Sequence, residues 1–171
     1  MKAAAGLVLL ACTAAARAEV LLTEKAALER AFPGAAPARH VLYLTPAQMA
    51  AVEKAARSKV SSAVVTQFEA AGAGRAYLDT HLVRTMPESV LVVVEPDGRL
   101  RMALVLQFNE PPDYLPREGW LGTLRGHALD DELWPGRGVR RVTGSTLTVQ
   151  ALTDAVRRGL ALDAVLAGRT P

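Results

Sequence analysis

Apolar positions recur along this chain with two different periods, and the alternation between them lays out its elements. Leu152, Val156 and Leu160 form an i, i+4, i+8 row that predicts a helix near the C-terminus. Thr23 is placed to cap a short first helix through Phe32, stopped by Pro33-Gly34 and followed by the loop Ala35-Ala36-Pro37-Ala38. Thr45-Pro46-Ala47-Gln48 has the form of a second helix start: Thr45 at the N-cap, Pro46 at the first helical position, and Gln48 placed to complete a capping box. That helix is expected to run to about Lys59 and to bury Met49, Val52 and Ala56.

Strands read from the remaining apolar runs. Val41 to Leu44 is a short one, Ser62 to Phe68 is rich in β-branched residues, Ala70 to Gly74 is a small-residue turn, and Arg75 to Val83 alternates as a strand does. The clearest hairpin joins Ser89–Glu95 to Arg99–Phe108 through Pro96-Asp97-Gly98, whose residues supply the turn dihedrals. Both runs are too continuously apolar for one wet face, which puts the hairpin at the centre of the sheet. Asn109 to Pro116 carries three prolines and is therefore a constrained loop. A short helix is expected around Trp120, Leu121 and Leu124, then a Gly-rich loop, Trp134 to Gly138, and a short strand, Val139 to Val142. The pattern gives an α+β fold with a mostly antiparallel sheet flanked by helices.

Composition changes this picture at the N-terminus. Of 171 residues, 50% are hydrophobic, which suits one folded domain and gives no argument for disorder. Lys2, the apolar stretch Ala3 to Ala16 and the Ala16-Arg17-Ala18 triplet read as a secretory signal cut before Glu19, too short to span a bilayer. The expected division is 1–18 signal peptide and 19–171 a single domain. Leu9-Leu10-Ala11-Cys12 offers a competing reading as a lipoprotein signal, with Cys12 the lipidated first residue. Cleavage after Ala18 removes the only cysteine, leaving neither a disulfide nor a catalytic thiol. It also changes the count of Lys and Arg against Asp and Glu from 20 and 17 to 18 and 17, since Lys2 and Arg17 are lost. A net charge near +1, with no basic patch carrying interleaved aromatics, argues against a nucleic-acid partner.

Candidate chemistry sits at Val142-Thr143-Gly144-Ser145-Thr146-Leu147-Thr148, directly before the last helix. The first amides of a helix lack intrahelical partners and its dipole is positive there, so a phosphate is a natural guest. Gly144 would let the backbone approach closely, and the threonines and serine supply hydroxyls. The plainer alternative is that one hydroxyl caps the helix and nothing more.

Thr143-Gly144-Ser145-Thr146-Leu147-Thr148 resembles the S/T-G-A-T-L-T signature of the FMN-binding domain family, whose members include subunits of the sodium-pumping NADH:quinone reductase and the Rnf-type electron transport complexes. The resemblance implies one FMN held by a phosphoester on Thr146, attached by a dedicated flavin transferase. Thr143, Gly144, Ser145, Leu147 and Thr148 would then hold its phosphate and ribityl chain. Ser145 stands where the family usually has alanine, and Arg140 where many members have an acidic residue. If the transferase reads that acidic residue, noncovalent FMN is the alternative.

The resemblance extends to Asp79–Glu88, to the Pro96-Asp97-Gly98 hairpin and to Glu110-Pro111-Pro112-Asp113-Tyr114, in the order found in small secreted members of the family. Glu110-Pro111-Pro112 is similar to a segment near the flavin in the respiratory subunits, which adds Glu110 to the cofactor-binding candidates. Arg84, Arg140 and Arg141 are candidates to tune a flavin, since positive potential stabilises its reduced anion. The implied function is electron transfer outside the cytoplasm, in the periplasm or at the outer face of the cytoplasmic membrane. Its expected partners are the flavin transferase and membrane or periplasmic redox proteins. The chain has no nicotinamide fingerprint, which favours a carrier over a reductase with its own substrate. A cofactor-free envelope protein that binds a partner is the reading from a different class.

Other constellations are weaker. Asp79 and His81 share a strand face and are placed to pair, but His40, His81 and His127 are too scattered for a metal set. Ser145, His81 and Asp79 compose a hydrolase triad only on paper, without a G-x-S-x-G elbow. Glu88 and Arg84 read as a surface ion pair after a strand. Tyr114 and Trp120 read as loop anchors before flavin-stacking groups.

The N-terminal reading predicts that protein recovered from its host begins at Glu19 or at a lipidated Cys12. N-terminal sequencing or intact mass checks this, and an intact Met1 on mature cytoplasmic protein refutes it.

Overall fold

The computed structural model describes residues 19–117 and 119–169, so the signal segment and Cys12 lie outside the described residues. Within them the protein is α+β. Six strands form one sheet: β1 (Glu19–Val20), β2 (Ala38–Tyr43), β3 (Val64–Ala70), β4 (Gly74–Val83), β5 (Met86–Val94) and β6 (Leu100–Phe108). Their order is β1-β6-β5-β4-β3-β2, and every neighbouring pair is antiparallel. Three helices accompany them: α1 (Glu24–Ala31), α2 (Pro46–Ala56) and α3 (Thr146–Leu166).

Local chemistry sets the boundaries of the short helices. Thr23 accepts from the Ala26 amide at the start of α1. Thr45 and Gln48 exchange the two bonds of a capping box at the start of α2, with Pro46 just inside. α2 stops at Ala56, short of the expected Lys59, because Arg57 turns left-handed at φ 53° and the Arg157 guanidinium takes the Ala55 and Ala56 carbonyls that a further turn would have used.

The hairpin of β5 and β6 lies where the apolar runs put it. Val90 to Val94 are all fully buried, because β5 has a strand on each side and a packed layer on each face. On one face Val90, Val92, Val94, Tyr77 and Ala103 meet α2, α3 and the segment carrying Trp120, Leu124, Leu133 and Val139. On the other, Leu91, Val93, Phe68 and Ala76 meet Ala27, Ala31 and Phe32. With only 8 residues, α1 covers part of that second face and leaves Val41, Tyr43, Val64 and Leu82 exposed.

Two expected elements are replaced. Around Leu121–Leu124 the chain makes a 3₁₀ turn, and another spans Pro112–Tyr114 inside the proline-rich loop. Val139 to Val142 is not a strand. Its 132–139 surroundings close on themselves, with the Gly136 amide donating to the Val139 carbonyl and Gly138 to that of Glu132, so only a single bridge to Pro135 remains. β5 also begins earlier than expected, at Met86, because β4 and β5 stay paired down to Val83 and Met86.

Gly159 sets how closely α3 approaches the sheet. A Cβ there would fall 2.6 Å from Cγ1 and 2.7 Å from Cβ of Val92. On helix propensity alone Gly159→Ala should stabilise by up to about 1 kcal/mol. The contact with Val92 reverses the sign, and the expected result is destabilisation by about 1–3 kcal/mol in urea unfolding. Combining it with Val92→Ala should cost less than the sum of the two single changes. A Gly159→Ala protein at least as stable as the parent would show that the helix can slide away from the strand at no cost.

Candidate functional site

Arg158 and Asp163 fix the direction of α3 across the sheet. Asp79 of β4 receives both Nε and Nη2 of Arg158 at 2.7 Å, while Asp163 binds Arg75 and the Tyr77 hydroxyl at the opposite end of the same strand. The helix therefore runs antiparallel to β4. From Arg158 back to Thr146 is about 18 Å of helix, and from Asp79 forward to Arg84 about 17 Å of strand. From Arg158 toward its start, α3 passes over β6, where Leu152 lies beside Met102–Val105 and Leu121.

The hydroxyl cluster at the start of α3 is laid out unevenly. Thr143, Gly144, Thr146 and Leu147 are exposed, Leu147 at 52%, whereas Ser145 and Thr148 are buried. Gly144 has φ +86° and open space where a side chain would stand. Its left-handed backbone turns the chain so that the Ser145 amide donates to the Val142 carbonyl. Ser145 occupies the N-cap without a side-chain capping bond. The first intrahelical bond runs from the Val149 amide to the Ser145 carbonyl, so the amides of Thr146, Leu147 and Thr148 have no partner inside the helix. Thr146 is exposed at the first helical position.

The other residues singled out by sequence fall in two places, the β4–β5 turn and the segment before α3. Glu110 accepts from the Thr85 and Met86 amides at 3.3 Å and so ties the proline-rich loop to the β4–β5 turn. Arg84, in that turn at φ 51°, lies 4.2 Å over the Tyr114 ring. Trp120 is a loop anchor, buried and donating its indole N–H to the Arg140 carbonyl. The Arg141 guanidinium lies where a side chain on Gly136 would have to stand, held against the 134–138 loop. Among the described residues no hydrogen bond joins Glu110 to the hydroxyl cluster.

Sequence reasoning missed one cluster almost entirely. Asp79 and His81 pair as expected, at 2.7 Å, but the other imidazole nitrogen meets Glu88 at 3.0 Å. Glu88 is not a surface partner of Arg84: it sits in β5, 1% exposed, with Oε1 buried and unpartnered. Arg158 also donates to Ser58, so a line of hydrogen bonds runs from Ser58 after α2 through Arg158 of α3 and Asp79 and His81 of β4 to the buried Glu88 of β5. Both nitrogens of His81 are engaged by carboxylates, and Ser145 is not among its partners, so the paper triad does not form. The signal that was available is the alternation Asp79, His81 on β4 facing Glu88 on β5, which the register pairs directly as His81 and Glu88.

Burial and charge perturb all three groups. Burial pushes Asp79 up, but hydrogen bonds from Arg158 and His81 outweigh it and hold its carboxyl below the usual value. Burial pulls His81 down, but its bonds to Asp79 and Glu88 outweigh that and raise it above the ordinary histidine value. Burial raises Glu88, and His81 only partly offsets the rise.

No family model, curated protein or solved structure matches this chain. Among the described residues no helix is long and apolar enough to cross a membrane.

The buried cluster makes stability depend on pH. Because the folded His81 holds its proton more tightly than an unfolded histidine, its contribution is fully present below about pH 6.5 and is lost as pH rises through the folded value. Glu88, also raised, acts in the same direction from the carboxylate range upward. Asp79, lowered, acts oppositely and only on acidification below about pH 4. Unfolding free energy should therefore fall as pH rises from about 6 to 9. His81→Gln should lower stability by about 1–3 kcal/mol at pH 6 and flatten that fall. A parent protein whose stability is level or rising over this range would contradict the assignment.

Proposed function

We propose that this protein is a flavoprotein of the FMN-binding domain type, carrying one FMN as a phosphoester on Thr146 and passing electrons outside the cytoplasm. The observation that carries the reading is Thr146, exposed at the first position of a 21-residue helix whose first turn has no side-chain cap. If the cluster served only to cap the helix, a hydroxyl would accept from those amides. A phosphate there would instead meet the free amides of Thr146, Leu147 and Thr148 and the positive end of the helix dipole.

The residues present fit such a group in unequal ways. Gly144 keeps the approach clear, and Thr143 and Leu147 flank it on the surface. Ser145 and Thr148 are turned inward and would act by holding the turn, with the Thr148 amide rather than its hydroxyl facing a phosphate. Glu110 would act by fixing the proline-rich loop to the β4–β5 turn. Arg84 supplies positive charge at that end of the sheet, which favours a reduced flavin anion. FMN, once bound, supplies the redox chemistry itself, and the protein supplies position and potential. A dedicated flavin transferase would attach it, and redox proteins of the membrane or periplasm would exchange electrons with it.

The test is covalent colour. Protein produced with a matching flavin transferase and exported should be yellow after denaturation, fluoresce in a denaturing gel, and gain the mass of one FMN less one water. Thr146→Val keeps the volume, removes the nucleophilic hydroxyl and should abolish the adduct, whereas Thr148→Val should retain it. Colour lost on denaturation would mean noncovalent FMN, with Arg140 in place of the family's acidic residue as the reason. Protein that stays colourless with the transferase and with added FMN would sink the flavin reading in favour of a cofactor-free domain.

A further inference from the structure

The two edges of the sheet are finished differently. β2 is exposed along nearly all of its length, on both faces. β6 is recessed. β1 pairs only with its Gln107 and Phe108, the Leu21 and Leu22 amides then meet the Leu106 carbonyl, and at the other end the 126–127 segment bonds to Leu100. Between these closures no described residue pairs with the outer edge of residues 102–105, a stretch of about 13 Å.

A groove of about 610 Å³ opens along that stretch. Four successive residues, Met102 to Val105, line it, so it follows the strand edge instead of sitting on one face. Leu21 and Leu22 line it together with Leu121 and Leu152, and Leu115 and Pro116 of the proline-rich loop line it too. Leu104 is only half-buried for this reason, although it lies in one of the two most apolar runs of the chain. Arg30, Arg117 and Arg125 stand exposed at the rim, and none makes a salt bridge with a described residue.

We propose that this groove binds an extended peptide segment of another protein, about four apolar residues flanked by acidic ones, which adds to β6 as a short strand. A free strand edge offers main-chain donors and acceptors that an extended chain satisfies in register. The apolar residues that line the groove take the side chains that such a strand projects. The three guanidinium groups, which make no salt bridge with a described residue, select carboxylates at its ends and steer its approach. Natural proteins usually blunt a recessed apolar edge with an inward charge or a covering element. Here the charges lie at the rim and leave the edge itself open.

The probe is acetyl-Glu-Glu-Val-Leu-Val-Leu-Glu-Glu-amide, titrated into uniformly ¹⁵N-labelled mature protein, with the same peptide carrying lysine for every glutamate as the control. The acidic peptide should saturably shift the amide signals of residues 102–105 and slow hydrogen exchange at those facing outward. It should bind roughly tenfold or more tightly than the lysine peptide. The triple variant Arg30→Glu, Arg117→Glu, Arg125→Glu, all at exposed positions and so expected to fold, should reverse that preference. Equal binding of the two peptides, shifts centred on β2, or no saturation at millimolar peptide would overturn the proposal. So would shifts produced by decanoate or free FMN but by neither peptide, which would make the groove a site for small amphipathic anions.

Discussion

Three consecutive residues of α3 hold the molecule together, each bonded to a different part of it. Arg157 is buried and donates to the carbonyls of Ala55 and Ala56 at the end of α2 and to those of Asp130 and Leu133, with its guanidinium 4.4 Å over Trp134. Arg158 grips Asp79 of β4 with two bonds. Gly159 lies on Val92 of β5 with no room for a methyl group. A helix placed only by its apolar stripe can shift along a flat sheet by part of a turn at modest cost. Here the bidentate pair fixes its height and the glycine fixes its distance, so α3 has one position. Removing either charge of the Arg158–Asp79 pair would strand the other in a buried place, at a cost of about 3–5 kcal/mol.

That single position is what gives the other end of α3 its character. The helix is anchored from Arg157 to Asp163, so its first turn, without a side-chain cap, lies about three turns away from the anchored part. The proline-rich loop reaches the β4–β5 turn through Glu110 and Tyr114. The helix leaves free amides and the positive end of its dipole at its first turn. An uncapped, exposed first turn forgoes about 1 kcal/mol that a side-chain cap would contribute.

How much of this could be read from the chain follows from which forces are local. Thr23, and Thr45 with Pro46 and Gln48, act on amides three residues away, so the starts of α1 and α2 were legible. The β5–β6 hairpin was legible too, because its apolar runs and turn residues agree. The end of α2 was not, since it depends on Arg157, about a hundred residues later. Charged residues read as solvated by default, which hid Arg157, Arg158 and Glu88. Each is buried only because the fold brings an acceptor or donor to it. The Val139–Val142 segment misled for the opposite reason. Its β-branched residues favour a strand, but among the described residues only Pro135 bridges to it, and a strand without a full partner closes into a loop. Thr146 was legible as a motif, whereas its exposure and the inward turn of Ser145 and Thr148 were not.

Arginine solves the same problem in both short helices, and the choice confines where the protein responds to pH. Arg101 reaches the Ala31 carbonyl at the end of α1 while it holds Glu95, much as Arg157 reaches the end of α2. A guanidinium stays charged at any pH a cell meets, so these closures do not titrate. A lysine could give up its proton in such buried surroundings, and its point charge could not span two carbonyls. The histidine placed between two carboxylates is different in kind. His81 joins β4 to β5 a few residues before Arg84 and the turn that Glu110 grips. Loss of its proton leaves Asp79 with Arg158 but leaves Glu88 without a charged partner. The electrostatic consequence therefore falls on β5 near the turn, and not on the anchored middle of α3.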